Sequence, residues 1–492
     1  MNHLNSQSLP PNYVELHAHS YYSLLDGVPT PEQLVQHAAS LGLPALALTD
    51  HDALYGAPRF VQAASQAGIK PILGVELTLV NGGGHLTLLA ENDLGYANLS
   101  QLITLARREQ TKGVAALPWR LLTDHAQGLI ALSGCRKSEI ARALLARDAR
   151  HARHAAERFA AIFGRDHFFL ELQRHHERGD RRLNHGLAWL GEMLGLPLVA
   201  TGNVHYLTPA QARLHDILTC IRHRVPLEQA GDLLRPNTEY TFRTPAEMTA
   251  LFAAWPEALR ATVEIAERCQ ARLPHGPQTL PQLLLPAHMP AIAFLRRLCE
   301  EALPRKAPHP RRAYQATLER ELEIIAEQGL AAYFLSVWDL VRFARRQGIL
   351  CQGRGSAANS LVAYLLDITP IDPLTAGLVF ERFLSRERLT APDIDLDFDA
   401  ARREEVIQYL YQRYGHEHTA MACTVVTFGL RQALRDVGMA LGFSPEMIAQ
   451  VGASVDYRWP VAASEPGDAP ASQPRAPRPP QPRAPTPMQS LS

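Results

Sequence analysis

Residues 14–20 read VELHAHS, an apolar run that ends on two histidines separated by one residue. On an extended backbone every second side chain points the same way, so His17 and His19 face one side at the end of the strand. Six similar runs follow before Leu207: PALALTD, KPILGVELTL, HLTLLAEN, GLIALSG, FFLELQ and LPLVATGNVHYL, with amphipathic helices such as PEQLVQHAASLG between them. Strands alternating with helices imply an α/β domain on a largely parallel barrel or open sheet. Such folds place their chemistry at the C-terminal ends of the strands. At or beside strand ends here stand Asp26, His51, Glu76, His85, Cys135 and His205. Imidazole, thiolate and carboxylate together suit Zn²⁺ or Mn²⁺ better than calcium. Any one of the 21 histidines would ordinarily be a capping or surface residue. The H-x-H pair with several strand-end partners predicts a metal centre instead.

A chain of 492 residues is too long for one hydrophobic core, which predicts two or three domains. Lysine plus arginine and aspartate plus glutamate number 49 each. That balance excludes a chain-wide basic surface but leaves room for a local nucleic-acid groove. The first twenty residues hold neither a basic segment nor an apolar run, and no stretch has the length to cross a bilayer. Six scattered cysteines suit a reducing compartment, so a soluble cytoplasmic protein with no membrane partner is expected. Helical sequence ends near Arg272, and a proline-rich stretch, LPHGPQTLPQLLLPAHMP, reads as a linker. The expected division is a first domain over 1–275, a linker over 276–313, a second domain over 314–420, the start of a third over 421–456, and a disordered tail over 457–492. Within the second domain Leu318, Leu322 and Ile325 share a helix face, and Gly329 and Gly348 read as helix ends.

A second constellation lies in that region. Cys351-Gln352-Gly353-Arg354-Gly355-Ser356 precedes AANSLVAYLL, and about forty residues later comes APDIDLDFDA. Asp393, Asp395 and Asp397 alternate, so their carboxylates share one face, and like charges so close call for a cation between them. Mg²⁺ is the usual remedy where phosphates are handled. The glycines and a helix start capped by Ser356 would cradle a phosphate, with Arg354 forking onto it. FERFLSRER adds Arg382, Arg386 and Arg388. The combination fits in-line attack on an α-phosphate.

The motifs LHAHS, LTDH, GVE, SGC and NVHY resemble the PHP (polymerase and histidinol phosphatase) family. That resemblance implies a (βα)7-type barrel holding two or three metals, used for phosphoester hydrolysis or for structure. The family's last motif reads D-x-H, whereas this chain has Asn203-Val204-His205; Asn203 is the weaker ligand, so one metal is expected to be lost or loosely held. The runs CQGRGSAANSLVAYLLDITPIDP, LVFERFLSRER and PDIDLDFDAARREEVIQYLYQRYG are similar to the palm of the C family of bacterial DNA polymerases. The particular wording, with LELQRHHERGD in the first half, is most like the error-prone, damage-inducible branch. What this implies is a nucleotidyltransferase-like α+β palm followed by a helical thumb, acting on primer–template DNA and dNTPs. Asp393 and Asp395 would hold catalytic Mg²⁺, Asp397 would support them, and Arg354 and Arg382 would contact the triphosphate. Family partners are a sliding clamp and translesion accessory proteins, whose binding regions are expected to be absent from this chain. The family's third catalytic aspartate, in a K-x-D-x-L-G-type segment, is not found. A truncated polymerase with negligible activity of its own is therefore expected. The competing readings are a PHP-type phosphoesterase or 3′–5′ exonuclease, and an inactive remnant.

Overall fold

The computed structural model describes residues 13–455, apart from 81–83, 109, 112, 275–288, 308–310 and 387–390. The expected tail over 457–492 and Arg388 lie outside the described residues.

Six strands form the first sheet in sequence order: β1 (Ala45–Leu48), β2 (Lys70–Leu79), β3 (Gly84–Ala90), β4 (Leu129–Leu132), β5 (Phe168–Leu172) and β6 (Leu198–Ala200). β1–β2, β4–β5 and β5–β6 pair in parallel, while β3 runs antiparallel to both neighbours. The reversal follows from the short β2–β3 connection, which leaves no room for a crossover helix. The opening run, VELHAHS, is not a regular strand. It pairs through single bridges, Glu15 to Leu46 on one side and Ala18 to Val204 on the other. Ala47 N–H donates to Glu15 O at 2.9 Å and His19 N–H to Val204 O at 2.8 Å. The opening run thus joins β1 to the segment after β6 and closes the ring.

Alternation sorts each strand into two faces. Leu46, Leu73, Val75, Leu88 and Leu170 pack outward with helix residues Leu34, Phe60, Leu99 and Leu187. Ala45, Ala47, Ile72, Leu89, Ile130, Phe169 and Val199 share a separate buried cluster with Val14 and Leu16. The helix Pro256–Arg268 covers that cluster with Ala261, Ile265 and Ala266. On the same inward faces Glu76 comes four residues after Ile72 and Glu171 two after Phe169, His85 stands four before Leu89 on the reversed strand, and His205 follows β6. An apolar floor therefore supports a polar upper layer. In the opening run the alternation slips between Leu16, in the floor, and His17, in the upper layer, which explains its irregular pairing.

A second core follows. The expected linker over 276–313 contains a helix, Ala291–Lys306, whose Phe294, Leu295, Cys299 and Ala302 are buried with Leu318, Leu322, Ile325 and Phe334. The proline stretch before it hides this helix from composition. Helices Arg311–Glu327 and Ala331–Arg346 meet at Gly329, whose φ of +67° lets Leu330 N–H reach Ile325 O at 2.9 Å. An antiparallel pair of strands, β7 (Cys351–Arg354) and β8 (Asp395–Phe398), lies beside them, with the helix Leu361–Leu365 between the two in sequence. Helices Leu430–Ala440 and Pro445–Ser454 end the described chain, and Ala440 packs with Cys220 and Ala230 of the first domain. Among the described residues no single helix is long and apolar enough to cross a membrane, and the six cysteines are free thiols.

Candidate metal centre and acidic hairpin

The upper layer of the barrel is organised about one buried carboxylate, Glu76. His17 Nε2 lies 3.6 Å from its Oε1 and His19 Nε2 3.6 Å from its Oε2. His51 Nδ1 and His85 Nδ1 lie 3.1 Å from the same two oxygens. His17, His19 and Glu76 form one set of converging ligand atoms, and His51, Glu76 and His85 form another. Among the described residues, the buried atoms His17 Nε2, His19 Nε2 and Glu76 Oε1 in this space have no hydrogen-bond partner, nor does His205 Nδ1, which faces Asp26. Orphaned buried polar atoms are costly. Imidazole and carboxylate donors converging on one volume fit a zinc- or manganese-class cation.

Behind these ligands sits a supporting layer. His17 Nδ1 is 2.7 Å from Glu171 Oε1, which also accepts from Gln173 Nε2 at 2.8 Å and from Thr201 Oγ1. This fixes the His17 tautomer and turns Nε2 inward. His19 Nδ1 lies 3.0 Å from Ser23 Oγ, and Ser23 donates to Asp50 Oδ1 at 2.7 Å. Burial pushes His19 and His205 well below the ordinary imidazole value, leaving neutral rings with a lone pair to give. Burial also opposes charge on His17, but Glu171 and Glu76 outweigh it and push the ring up to about 10. A proton and a cation compete for the same Nε2 atom.

Asp26 forms the second pole. His51 Nε2 lies 3.2 Å from its Oδ2, and His205 Nδ1 and His215 Nε2 lie 3.6 and 3.2 Å from its Oδ1. Cys135 stands at the edge, with Sγ 3.4 Å from His85 Nδ1, and burial pushes its thiol well up. Asn203, in the left-handed region at φ +46°, gives its amide N–H to Gln173 Oε1 at 3.3 Å. Its Oδ1 lies 3.1 Å from His205 Nε2. The sequence reading missed Glu171, Gln173 and His215. A cavity of about 410 Å³ opens onto the cluster, its mouth lined by Arg136, Arg142, Arg222 and Arg235.

In the second domain the antiparallel register sets Arg354 directly opposite Asp395 and Gln352 opposite Asp397. Arg354 Nε donates to Asp397 Oδ1 at 3.1 Å, and Nη2 lies 3.8 Å from Asp395 Oδ2. All three side chains are more than half exposed, at 62%, 55% and 53% for Arg354, Asp395 and Asp397. Asp393 is exposed one alternation earlier, next to Ile394, whose N–H donates to Tyr333 Oη at 3.1 Å. Arg382 is exposed in a short turn, Phe380–Arg382. Arg386 is paired with Glu327 at 2.8 Å.

The glycine loop differs from expectation in two ways. Ser356 lies within a 3₁₀ turn, Gly355–Asn359, and the cap of the following helix is Ser360. The helix start is filled by a carboxylate of the chain itself: Glu321 accepts from Leu361 N at 2.8 Å, Val362 N at 3.0 Å and Ser360 Oγ at 2.8 Å. Gly353 N–H is bonded to Ile368 O, and a Cβ at 353 would lie 2.7 Å from that oxygen. Gly353 is thus needed for packing, and Gly355, at φ +69°, for the turn.

Two family descriptions match the sequence: "PHP domain" over residues 15–175 and "Bacterial DNA polymerase III alpha NTPase domain" over 293–474. Curated relatives include an error-prone DNA polymerase of Symbiobacterium thermophilum, 45% identical over 449 residues, covering 88% of this chain and 41% of that protein. An error-prone DNA polymerase of Mycobacterium bovis is 41% identical over 446 residues, again covering 88% and 41%. The chain therefore spans about two-fifths of the length of these relatives. Among solved structures, an amidohydrolase from Chromobacterium violaceum aligns with a TM-score of 0.29 and 19% identity, over 39% of this chain and 87% of that one.

Proposed function

We propose that this chain, which belongs by sequence with the bacterial C-family DNA polymerases and is similar to error-prone DNA polymerases, contributes to template-directed DNA synthesis. The substrates would be primer–template DNA and deoxynucleoside triphosphates, and the setting translesion synthesis and repair in the cytoplasm, with a sliding clamp and accessory proteins. The observation that carries the reading is the β7–β8 strand pair: Asp393, Asp395 and Asp397 are exposed at alternate positions, and Arg354 is the guanidinium that pairs with Asp395 and Asp397 among the described residues.

Three carboxylates against one guanidinium leave the strand short of positive charge, which favours divalent cations there. Asp393 and Asp395 would hold Mg²⁺, with Asp397 in support. When bound, magnesium supplies charge stabilisation at the transferring phosphoryl group. Arg354 is freed from the aspartates as cations take its place, and can turn its planar fork to a triphosphate oxygen. Arg382 would add a second contact. Gly353, Gly355 and Ser356 shape this loop, and Glu321 keeps the helix start from serving as the phosphate site. Calorimetric titration of a dNTP with Mg²⁺ tests the assignment. Asp395→Asn is expected to weaken binding at least about tenfold, the loss of one charge-assisted contact. Equal affinity in the two proteins would refute it.

A second reading is favoured by the barrel site, where converging imidazoles meet a cavity with arginines at its mouth. Such a site could take a phosphodiester and cleave it, as a phosphoesterase or 3′–5′ exonuclease. In it His17, His19, Asp26, His51, Glu76, His85, Cys135 and His205 would surround Zn²⁺ or Mn²⁺. Release of nucleotides from a 3′ end with either metal is expected to vanish in His17→Ala. Equal release from both proteins would eliminate hydrolysis as a role of this centre.

A further inference from the structure

We infer that His215 is a ligand of the ion nearest Asp26, and that Asn203 serves that position only by orienting His205. The inference rests on the barrel cluster being a metal centre and assigns one of its ligands. His215 lies on the helix Ala212–His223, outside the strands, and its sequence context gives no metal-binding pattern. Yet Asp26, His205 and His215 offer ligand atoms that all lie within 4.8 Å of one another. His215 is 3% exposed and His205 2%. His205 Nδ1 is among the buried atoms without a partner, and it points to the same Asp26 oxygen as His215 Nε2. Two imidazole nitrogens and a carboxylate oxygen converging in this way would give a zinc-class cation three protein ligands.

Asn203 is placed differently. Its amide nitrogen is turned away to Gln173, and its carbonyl oxygen meets His205 Nε2 at 3.1 Å. A neutral imidazole carries one N–H. With that proton on Nε2, donated to Asn203 Oδ1, the lone pair of His205 is on Nδ1, facing Asp26. An amide can do this as well as a carboxylate can. Orienting the ring therefore needs no carboxylate at 203, and His215 supplies a donor from the other side.

Two guanidiniums now balance the Asp26 charge. Arg222 Nη1 is 3.3 Å from Oδ2, Arg235 Nη2 is 3.7 Å from Oδ1, and Arg235 Nε is 3.4 Å from His215 Nε2. Cation entry requires both to give way. Arg222 is half exposed and free to swing into solvent, and Arg235 already lies over the Tyr240 ring, 3.7 Å from its centroid.

The test is metal stoichiometry of the full chain after Zn²⁺ loading and gel filtration, with Co²⁺ absorption as a spectroscopic readout of ligand type. His215→Ala is expected to lose one equivalent of metal and the corresponding cobalt band, both restored by added imidazole. Asn203→Ala is expected to keep the equivalent with weakened affinity. Melting of the chelator-treated proteins should coincide, separating ligand loss from misfolding. If the wild type binds no metal, the metal-centre reading itself fails. If it binds metal and His215→Ala binds the same number with an unchanged cobalt spectrum, only the His215 assignment falls. Loss of the equivalent in Asn203→Ala but not in His215→Ala would also overturn it.

Discussion

Glu321 is a buried acid on the apolar face of helix Arg311–Glu327, 1% exposed, with both oxygens spent on the start of helix Leu361–Leu365. Replacing it with alanine removes the acceptor for two backbone N–H groups and one hydroxyl. Each buried donor left unmade costs about 1–3 kcal/mol, so Glu321→Ala, which strands three, should destabilise the second core by about 3–9 kcal/mol. Burial is the largest influence on this carboxyl and pushes it up to about 7, against the donors of Val362, Leu361 and Ser360. The folded domain therefore binds the proton more tightly than the unfolded chain, where a glutamate titrates near 4.5. The stabilisation from this group is complete below about pH 4.5 and is lost as pH rises through about 7. Its full size is at most about 3 kcal/mol, the free-energy equivalent of the shift. Glu321→Gln should flatten that part of the pH profile. Amide hydrogen exchange at Leu361 and Val362, with denaturant unfolding from pH 5 to 8, measures both effects. Unchanged protection of those amides in Glu321→Ala, or an unchanged pH slope in Glu321→Gln, would refute the reasoning.

Further outcomes follow from other contacts. Glu171→Gln loosens the partner that holds the His17 ring, and should weaken barrel metal affinity about 10- to 100-fold in chelator competition. Equal affinity would show that Glu171 does not orient the ligand. Phe334 is fully buried against Phe383, with ring centroids 5.9 Å apart, so Phe334→Ala should cost about 3–5 kcal/mol in denaturant unfolding. A loss below about 1 kcal/mol would mean the second core is not packed as described. Arg354→Ala breaks only exposed ion pairs, and should leave stability within about 1 kcal/mol. A larger loss would assign Arg354 a folding role.

The barrel was legible because apolar alternation and strand-end polar residues carry the same message at every step from Val14 to Tyr206. The opening run reads as a strand, and only its slip between Leu16 and His17 escapes, since a slip leaves no mark in composition. Glu171 and Gln173 stand two apart in FFLELQ, inward by the same alternation as His17 and Glu76, and were readable in principle. His215 was harder. Its helix reads as an ordinary amphipathic one, and the signal was the polar spacing of His215, Thr219 and Arg222 along one face. Glu321 stands three residues after Leu318 and four before Ile325, on the buried stripe itself. An acid there announces a buried partner, but naming Leu361 and Val362 requires the tertiary fold. The helix within the expected linker was hidden by the prolines before it, and the cap expected at Ser356 falls on Ser360 because the 3₁₀ turn Gly355–Asn359 comes first.

The seam of the barrel joins residues from opposite ends of the first domain. His17 and His19 come from the opening run, well before His205 in the chain, and His205 from the segment that closes beside it, through Val204 N–H to His17 O at 2.9 Å. On the ribosome the early histidines must wait for nearly the whole domain to emerge before His205 can reach them. Only a finished ring gathers the full ligand set, so ion uptake would mark completion of the domain, and a nascent or miswound barrel would be left with a partial, weaker site. Long-range closure of this kind is slow for entropic reasons. An ion held across the seam would act as a latch on a contact between segments far apart in the chain.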